Sequence, residues 1–272
     1  MKLNINHTIL TILLFLVSFG IGANQTEDCQ PKKIEQWVTA SFASSGDTII
    51  IQNKKFKLIG VNAPRKERKQ KFNTTGQPLA KEAQNRLNKL LANHDMEVGV
   101  EYDTRKIDSF NRGLVHLYVK RKGVIQNLNQ LMLASGYAIV KSEYSNYLHQ
   151  ECYFQAENQA RTQEIALWSL HKNQPNLNYP IVLSSKITLE DDAFRIYKGK
   201  IVDVIDRSNG YILNMDTVGI RIPKQYKVNF DIEKIKQLKG KVIEVRGNGF
   251  LFRRAMFVKI QSPNAIDALR NF

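Results

Sequence analysis

Ser44-Ser45-Gly46-Asp47-Thr48-Ile49-Ile50-Ile51-Gln52 is closely followed by Phe56-Lys57-Leu58-Ile59-Gly60-Val61-Asn62-Ala63-Pro64. The first stretch joins a Ser/Gly/Asp turn to a β-branched apolar run. The second is an apolar run stopped by Asn-Ala-Pro. Both have the composition of short strands bounded by turns. Residues 34–43, apolar and rich in small or β-branched side chains, predict a further strand before the turn. Residues 65–76 are polar and cationic without periodicity, and so predict a surface loop. Pro78 then stands where helices begin, and Leu79, Ala83, Leu87, Leu90 and Leu91 form one apolar face over 79–92. Further strands are predicted at 96–102 and 113–120, and helices at 125–135 and 151–168. The class is mainly β with helices (α+β), and five strands with inserted helices predict an OB-type barrel.

Residues 173–192 hold prolines, asparagines and serines without a long apolar run, which reads as a linker. Strands then resume at 194–205, 211–215 and 219–223, a short helix is predicted at 231–238, and strands at 241–246 and 256–260 complete a second small OB-like β domain. The expected plan is a signal peptide at 1–23, a first domain at 24–172, a linker at 173–192 and a C-terminal domain at 193–272.

The chain carries 40 Lys and Arg against 25 Asp and Glu, a formal net charge of +15. Such a surplus attracts polyanions, either nucleic acid or an anionic surface. It is spread over both predicted domains, since residues 193–272 alone hold 16 basic and 7 acidic side chains. At the N-terminus Lys2 precedes an apolar run from Ile9 to Val17 and the small residues Ser18, Gly20, Gly22 and Ala23. This is the pattern of an export signal cut near Ala23, leaving no stable membrane anchor and a periplasmic or extracellular protein. The run is short for a membrane span, which needs about 20 residues. In an oxidising compartment the two cysteines, Cys29 and Cys152, are expected to pair. No CxxC or Cys/His cluster points to zinc.

Ser45-Gly46-Asp47-Thr48, Phe56–Pro64 and Asp108-Ser109-Phe110-Asn111-Arg112-Gly113-Leu114 recur in one order with Ala156-Glu157 and Ala160-Arg161 and then Leu167-Trp168. Together they resemble the thermonuclease (staphylococcal-nuclease-like) family over about residues 34–170. Cys29 and Glu151-Cys152-Tyr153 resemble its secreted branch with a bridged cysteine pair, and the C-terminal segment resembles the OB-like appendix of some members. The resemblance implies phosphodiester hydrolysis of DNA or RNA with little sequence preference. A Ca²⁺ ion and guanidinium groups would stabilise the charge of a pentacoordinate phosphate. Carried over, Asp47, Asn62 and Ala63 (through its carbonyl) are the metal positions, and Lys57 and Arg112 the phosphate-binding cations.

Two positions depart from the family pattern. Lys57 stands where a guanidinium is expected, keeping the charge without the bidentate fork. Arg65 stands where a water-orienting Glu is expected, which implies a weakly held Ca²⁺ and lowered activity. Glu67 reads either as a substitute base or as a solvated member of the run Arg65 to Lys71. Arg65, Lys66, Arg68 and Lys69 of that run suit a nucleic-acid backbone. Tyr144 reads either as a base-stacking residue or as a cover for the barrel, and Phe110 as a site residue or an apolar plug. Phe250, Phe252, Arg253 and Arg254 form a basic, aromatic stretch that reads either as a grip for single strands or as a barrel edge. His94, His116, His149 and His171 read as surface or strand residues. The expectation is a secreted nuclease. Its rivals are a catalytically silent nucleic-acid-binding protein and an envelope protein that meets lipid or polysaccharide.

Overall fold

A computed structural model describes residues 29–67, 75–188 and 191–270. The predicted export signal lies outside the described residues, as do Arg68 and Lys69. Among the described residues no helix is long and apolar enough to cross a membrane.

The first unit is built from β1 (Gln36–Thr39), β2 (Phe42–Ser45), β3 (Thr48–Ile51), β4 (Lys54–Leu58), β5 (Val61–Asn62), α1 (Ala80–Ala92), β6 (Glu97–Glu101), β7 (Gly113–Arg121), β8 (Val124–Asn127), α2 (Leu128–Ala134), β9 (Ile139–Val140), α3 (Gln150–Thr162) and α4 (Leu170–Asn173). Its main sheet runs β1-β6-β7-β4-β3-β2, with β8 on β7. Mixed sheets packed with helices are the expected α+β, OB-like class, and the described ladders form an open path rather than a closed barrel. The two ends of that path, β1 and β2, are adjoining stretches of chain joined through Ala40 and Ser41. Residues 34–43 therefore serve opposite ends of the sheet rather than forming one continuous strand.

Two further boundaries differ from expectation. The helix predicted over 125–135 begins at Leu128, because Val124–Asn127 pairs with β7. Asn127 then turns its side chain to cap α2, accepting from the Gln130 amide. The helix predicted over 151–168 ends at Thr162, and the positive φ of Glu164 and Ala166 separates it from a 3₁₀ turn at Ala166–Ser169.

α1, α2 and α3 pack Ala83, Leu87, Leu91, Met132, Leu133 and Tyr153 with the sheet's Ile49, Val98, Val115 and Leu117 in one buried core. Cys29 and Cys152 are bridged, with Cα atoms 5.9 Å apart, and belong to the same core.

The second unit comprises β10 (Ile181–Leu183), β11 (Phe194–Lys200), β12 (Asp203–Arg207), β13 (Gly210–Asn214), β14 (Val218–Pro223), α5 (Ile232–Lys236), β15 (Val242–Phe252) and β16 (Ala255–Lys259). Their sheet runs β10-β11-β15-β16-β14-β13-β12. The stretch read as a linker contributes β10, which pairs in parallel with β11.

The units are joined by an apolar cluster of Ile139, Trp168, Leu170, Tyr179, Phe194 and Ile196. Two ion pairs flank it. Arg161 grips Glu244 through both amino groups at 2.6 and 2.7 Å. Buried Arg246 reaches Glu157 at 2.8 Å and the Val140 carbonyl at 3.0 Å.

Candidate phosphate site

The β3–β4 hairpin register sets Thr48 opposite Lys57, bringing the turn carboxylate of Asp47 to the Lys57 ammonium. Gly46 is required in that turn, since a Cβ there would lie 2.7 Å from the side chains of both Ala63 and Ala83. Asp47 and Lys57 are both buried, 7% and 6% exposed. Oδ1 of Asp47 accepts from the Ser45 hydroxyl at 2.8 Å and the Thr48 hydroxyl at 3.1 Å. Oδ2 accepts from the Ala63 amide at 3.0 Å and pairs tightly with Lys57 Nζ. Burial works to raise the Asp47 carboxyl, but Lys57, Ala63 and Ser45 outweigh it and hold it below the usual range. Burial, with the charges of Lys141 and Arg112 nearby, lowers the Lys57 ammonium despite Asp47.

β4 runs parallel to β7 with Phe56 opposite Gly113, so Arg112 enters the sheet beside Lys57. Gly113 is the residue that permits this approach, since a Cβ there would come within 2.4 Å of the Phe56 ring. Asp108 orients Arg112 by accepting from its amide at 3.0 Å and its Nε at 2.7 Å, and pairs with Nη2 at 2.7 Å. Nη1 is not spent on Asp108. Phe110 lies beneath the guanidinium, 5.4 Å from ring centroid to Cζ, and is 78% exposed, which is inconsistent with an apolar plug.

Lys57 and Arg112 open into a cleft of about 480 Å³ between the two units. Lys141, Glu143, Tyr144 and Phe110 complete the near wall. Asn248, Phe250 and Lys259 of the second unit form the far wall. Glu143 is neutralised by Lys141 at 2.5 Å. Counting the buried partners Asp47 and Glu157, six cations of the cleft face four carboxylates. The cleft therefore keeps a positive surplus that an anion can complete.

The remaining predicted residues divide as follows. Asn62 lies on β5 opposite Ile139. Ala63 is buried and turns its N–H to Asp47. Arg65 is held by its backbone, which exchanges hydrogen bonds with Gln77 at 2.8 Å, while its side chain is exposed. Lys66 and Glu67 are exposed on the same loop, and among the described residues neither they nor Arg65 lines the cleft. Tyr144 lines it, 39% exposed, with its ring edge-on to Tyr226 of the second unit at 5.0 Å. Sequence reasoning missed Asp108 as the anchor of Arg112, and Lys141 and Lys259 as cleft cations. It also missed a buried cluster. His149 shares contacts with Glu101 at 3.0 Å and Tyr118 at 2.8 Å, and His116 contacts the Tyr153 hydroxyl at 2.6 Å. Asp108, four residues before Arg112 in a turn, was the one local signal available.

Ca²⁺ requires six to eight oxygen ligands. Both oxygens of Asp47 are committed, one of them to an ammonium. Asn62 brings no charge, and a cation follows Pro64. Among the described residues no group of three or more His, Cys, Asp or Glu side chains is placed to hold a metal. This arrangement does not suit Ca²⁺ as it stands. It suits a phosphate diester, which needs fixed cations.

A search of the curated proteins found no match for this chain. The model of the family described as staphylococcal nuclease homologue matches residues 55–170, a span that contains Lys57, Asn62, Arg65, Arg112 and Tyr144 and begins just after the Asp47 turn. Over that segment the chain is similar to staphylococcal nuclease homologues, which supports a nuclease-like, nucleic-acid-related function.

Proposed function

We propose that this protein is a secreted, nuclease-like protein that binds the phosphodiester backbone of nucleic acid through fixed side-chain cations. The observation that carries the reading is the position of Lys57. Its ammonium occupies Asp47, the carboxylate expected to hold a divalent ion, and lines the same cleft as Arg112. Fixed cations contact phosphates without reading sequence, so DNA and RNA both serve as ligands. Export is supported by the N-terminal pattern of Lys2 and the apolar run to Val17, and by a disulfide of the kind retained in oxidising compartments.

A second reading, Ca²⁺-dependent hydrolysis at a reduced rate with Glu67 as base, has one observation in its favour. Asp47, Lys57 and Arg112 do converge on one place. It requires the ion to compete with Lys57 for Asp47, and a base to arrive from an exposed loop.

The two readings separate in one experiment. The mature protein is incubated with plasmid and with single-stranded DNA and RNA, in Ca²⁺ or in chelator, and binding and strand cleavage are followed together. The first reading expects binding that survives chelation and weakens in Arg112→Ala, without cleavage. Chelator-sensitive cleavage lost in Asp47→Ala and Arg112→Ala overturns it in favour of the second. Absence of binding to any nucleic acid overturns both.

A further inference from the structure

The far wall of the cleft continues into a sheet face whose exposed rings the phosphate site does not use. β15 and β16 pair with Phe250 opposite Phe257 and Asn248 opposite Lys259. β14 and β16 pair with Gly219 beside Phe257 and Arg221 beside Lys259. Strand periodicity of two therefore sets Asn248, Phe250, Phe252, Phe257, Lys259 and Arg221 on one face. Side-chain contacts agree with that placement. The Phe257 ring lies 5.8 Å from that of Phe250 and 6.2 Å from that of Phe252, and the Arg221 guanidinium sits 4.4 Å from its centroid. Gly219 lets the Phe257 ring lie against the backbone, since a Cβ there would come within 2.6 Å of the ring.

Phe250 and Phe252 are 43% and 56% exposed, although phenylalanine ordinarily sits inside. Arg253 covers Phe252 at 5.3 Å. A core explanation fails for these rings, because the second unit's own core is formed by Tyr197, Leu213, Ile220, Val245, Met256 and Val258. Exposed aromatic rings interleaved with cations on an open sheet are suited to an anionic polymer with flat, unpaired bases. A duplex keeps its bases stacked inside and offers those rings nothing. Continuity with the cleft completes the case, because Phe250 and Lys259 line it together with Lys57 and Arg112.

We infer that the β14–β16–β15 face of the second unit is a stacking platform for single-stranded nucleic acid. The strand's phosphates enter the cleft at Lys57 and Arg112, and its bases lie over Phe250 and Phe252, which Phe257 supports from beside. The inference rests on the nucleic-acid reading of the cleft and adds a second binding surface and a preference for single strands.

The test uses the full mature protein and fluorescence anisotropy with a labelled oligothymidylate and a duplex of equal length. Phe250→Ala/Phe252→Ala removes exposed rings only, and its melting temperature is checked against the parent. Each ring lost is expected to weaken single-strand binding about tenfold, within the range of one base–aromatic stack, while duplex binding changes less than threefold. Phe250→Trp is expected to retain or improve single-strand binding, which separates stacking from mere surface change. Arg112→Ala is expected to weaken both ligands. Unchanged single-strand affinity in the double phenylalanine variant, with Arg112→Ala still impaired, overturns the platform and leaves the cleft reading standing. If neither variant loses affinity, both fall.

Discussion

Replacing Lys57 by Met tests the site's physical basis directly. Methionine approximates the length of the lysine stem and removes the ammonium, leaving the buried Asp47 carboxylate without its counter-charge. Removing one partner of a buried ion pair costs about 3–5 kcal/mol. Asp47 retains the Ser45 and Thr48 hydroxyls and the Ala63 amide as donors, so the low end, about 3 kcal/mol, is expected here. For a protein of this size that corresponds to a fall in Tm of about 6–12 °C. Asp47→Asn should destabilise similarly by stranding the ammonium, whereas Asp47→Asn/Lys57→Met should cost far less than the two singles combined. The double-mutant cycle should therefore yield a coupling of about 3 kcal/mol. Calcium supplies the second axis. With Lys57 gone, Asp47 Oδ2 keeps only the Ala63 amide and can meet a cation, and a ligand at a hundred times its Kd stabilises by about 2.7 kcal/mol. Thermal melts with and without Ca²⁺ should show recovery in Lys57→Met and no shift in the parent. Two results refute the reasoning: single variants that lose less than about 1 kcal/mol, in the range of a solvated pair, or a parent protein that Ca²⁺ stabilises as much as the variant.

Other expectations follow from further buried groups. Glu157→Gln strands the Arg246 guanidinium between the units and should cost about 3–5 kcal/mol by calorimetry; a loss under about 1 kcal/mol would mean that the interface hydrates freely. Burial, the largest influence on His116, pushes its imidazole below the ordinary 6.5, so the unfolded chain takes up a proton that the folded protein refuses. Stability should therefore decline as pH falls below about 6.5, and His116→Gln should remove that slope. Burial works to raise the Glu101 carboxyl, but His149, Tyr118 and the Lys33 amide hold it at about 2 against an ordinary 4.5. Its contribution is complete above pH 4.5 and is lost as pH falls toward 2, so Glu101→Gln should flatten the second limb of a Tm-versus-pH scan; a scan level from pH 7 to 3 contradicts both assignments. Cys29 and Cys152 are 123 residues apart in sequence, and Cys29→Ser/Cys152→Ser should lose about 4–5 kcal/mol by the chain-entropy model in denaturant melts.

Strands β3 and β4 and helix α1 are readable from local pattern, because apolar periodicity and the Ser-Ser-Gly-Asp turn act within a dozen residues. The boundary between β8 and α2 is not. Residues 125–127 suit a helix locally, and pairing with β7 makes them a strand. The site divides in the same way. Asp47, Lys57 and Arg112 stand in short motifs whose order identifies them. Lys259, Phe250 and the Arg246–Glu157 pair reach the cleft only because two units pack together, and no local window carries that information. Glu67 reads from sequence either as a substitute base or as a solvated member of its charge run, and its exposed place on the loop agrees with the second.

The arrangement also explains why the two departures from the family pattern occur together. A divalent ion needs anionic oxygens around it, and its attacking water needs a base to orient it. On the proposed reading, Lys57 satisfies Asp47 internally and its ammonium stands in for the ion's charge. On that reading a carboxylate after Pro64 has no ion to serve, and a cation such as Arg65, exposed on its loop, costs nothing there. The same logic reaches the second unit. A site that grips phosphates with a few fixed cations discriminates poorly between duplex and single strand, so any selectivity must come from surface outside it. The exposed phenylalanines beside Lys259 are placed to supply it, and the dependence of single-strand affinity on Phe250 is the quantity that decides between a residual catalytic pocket and a binding surface built across both units.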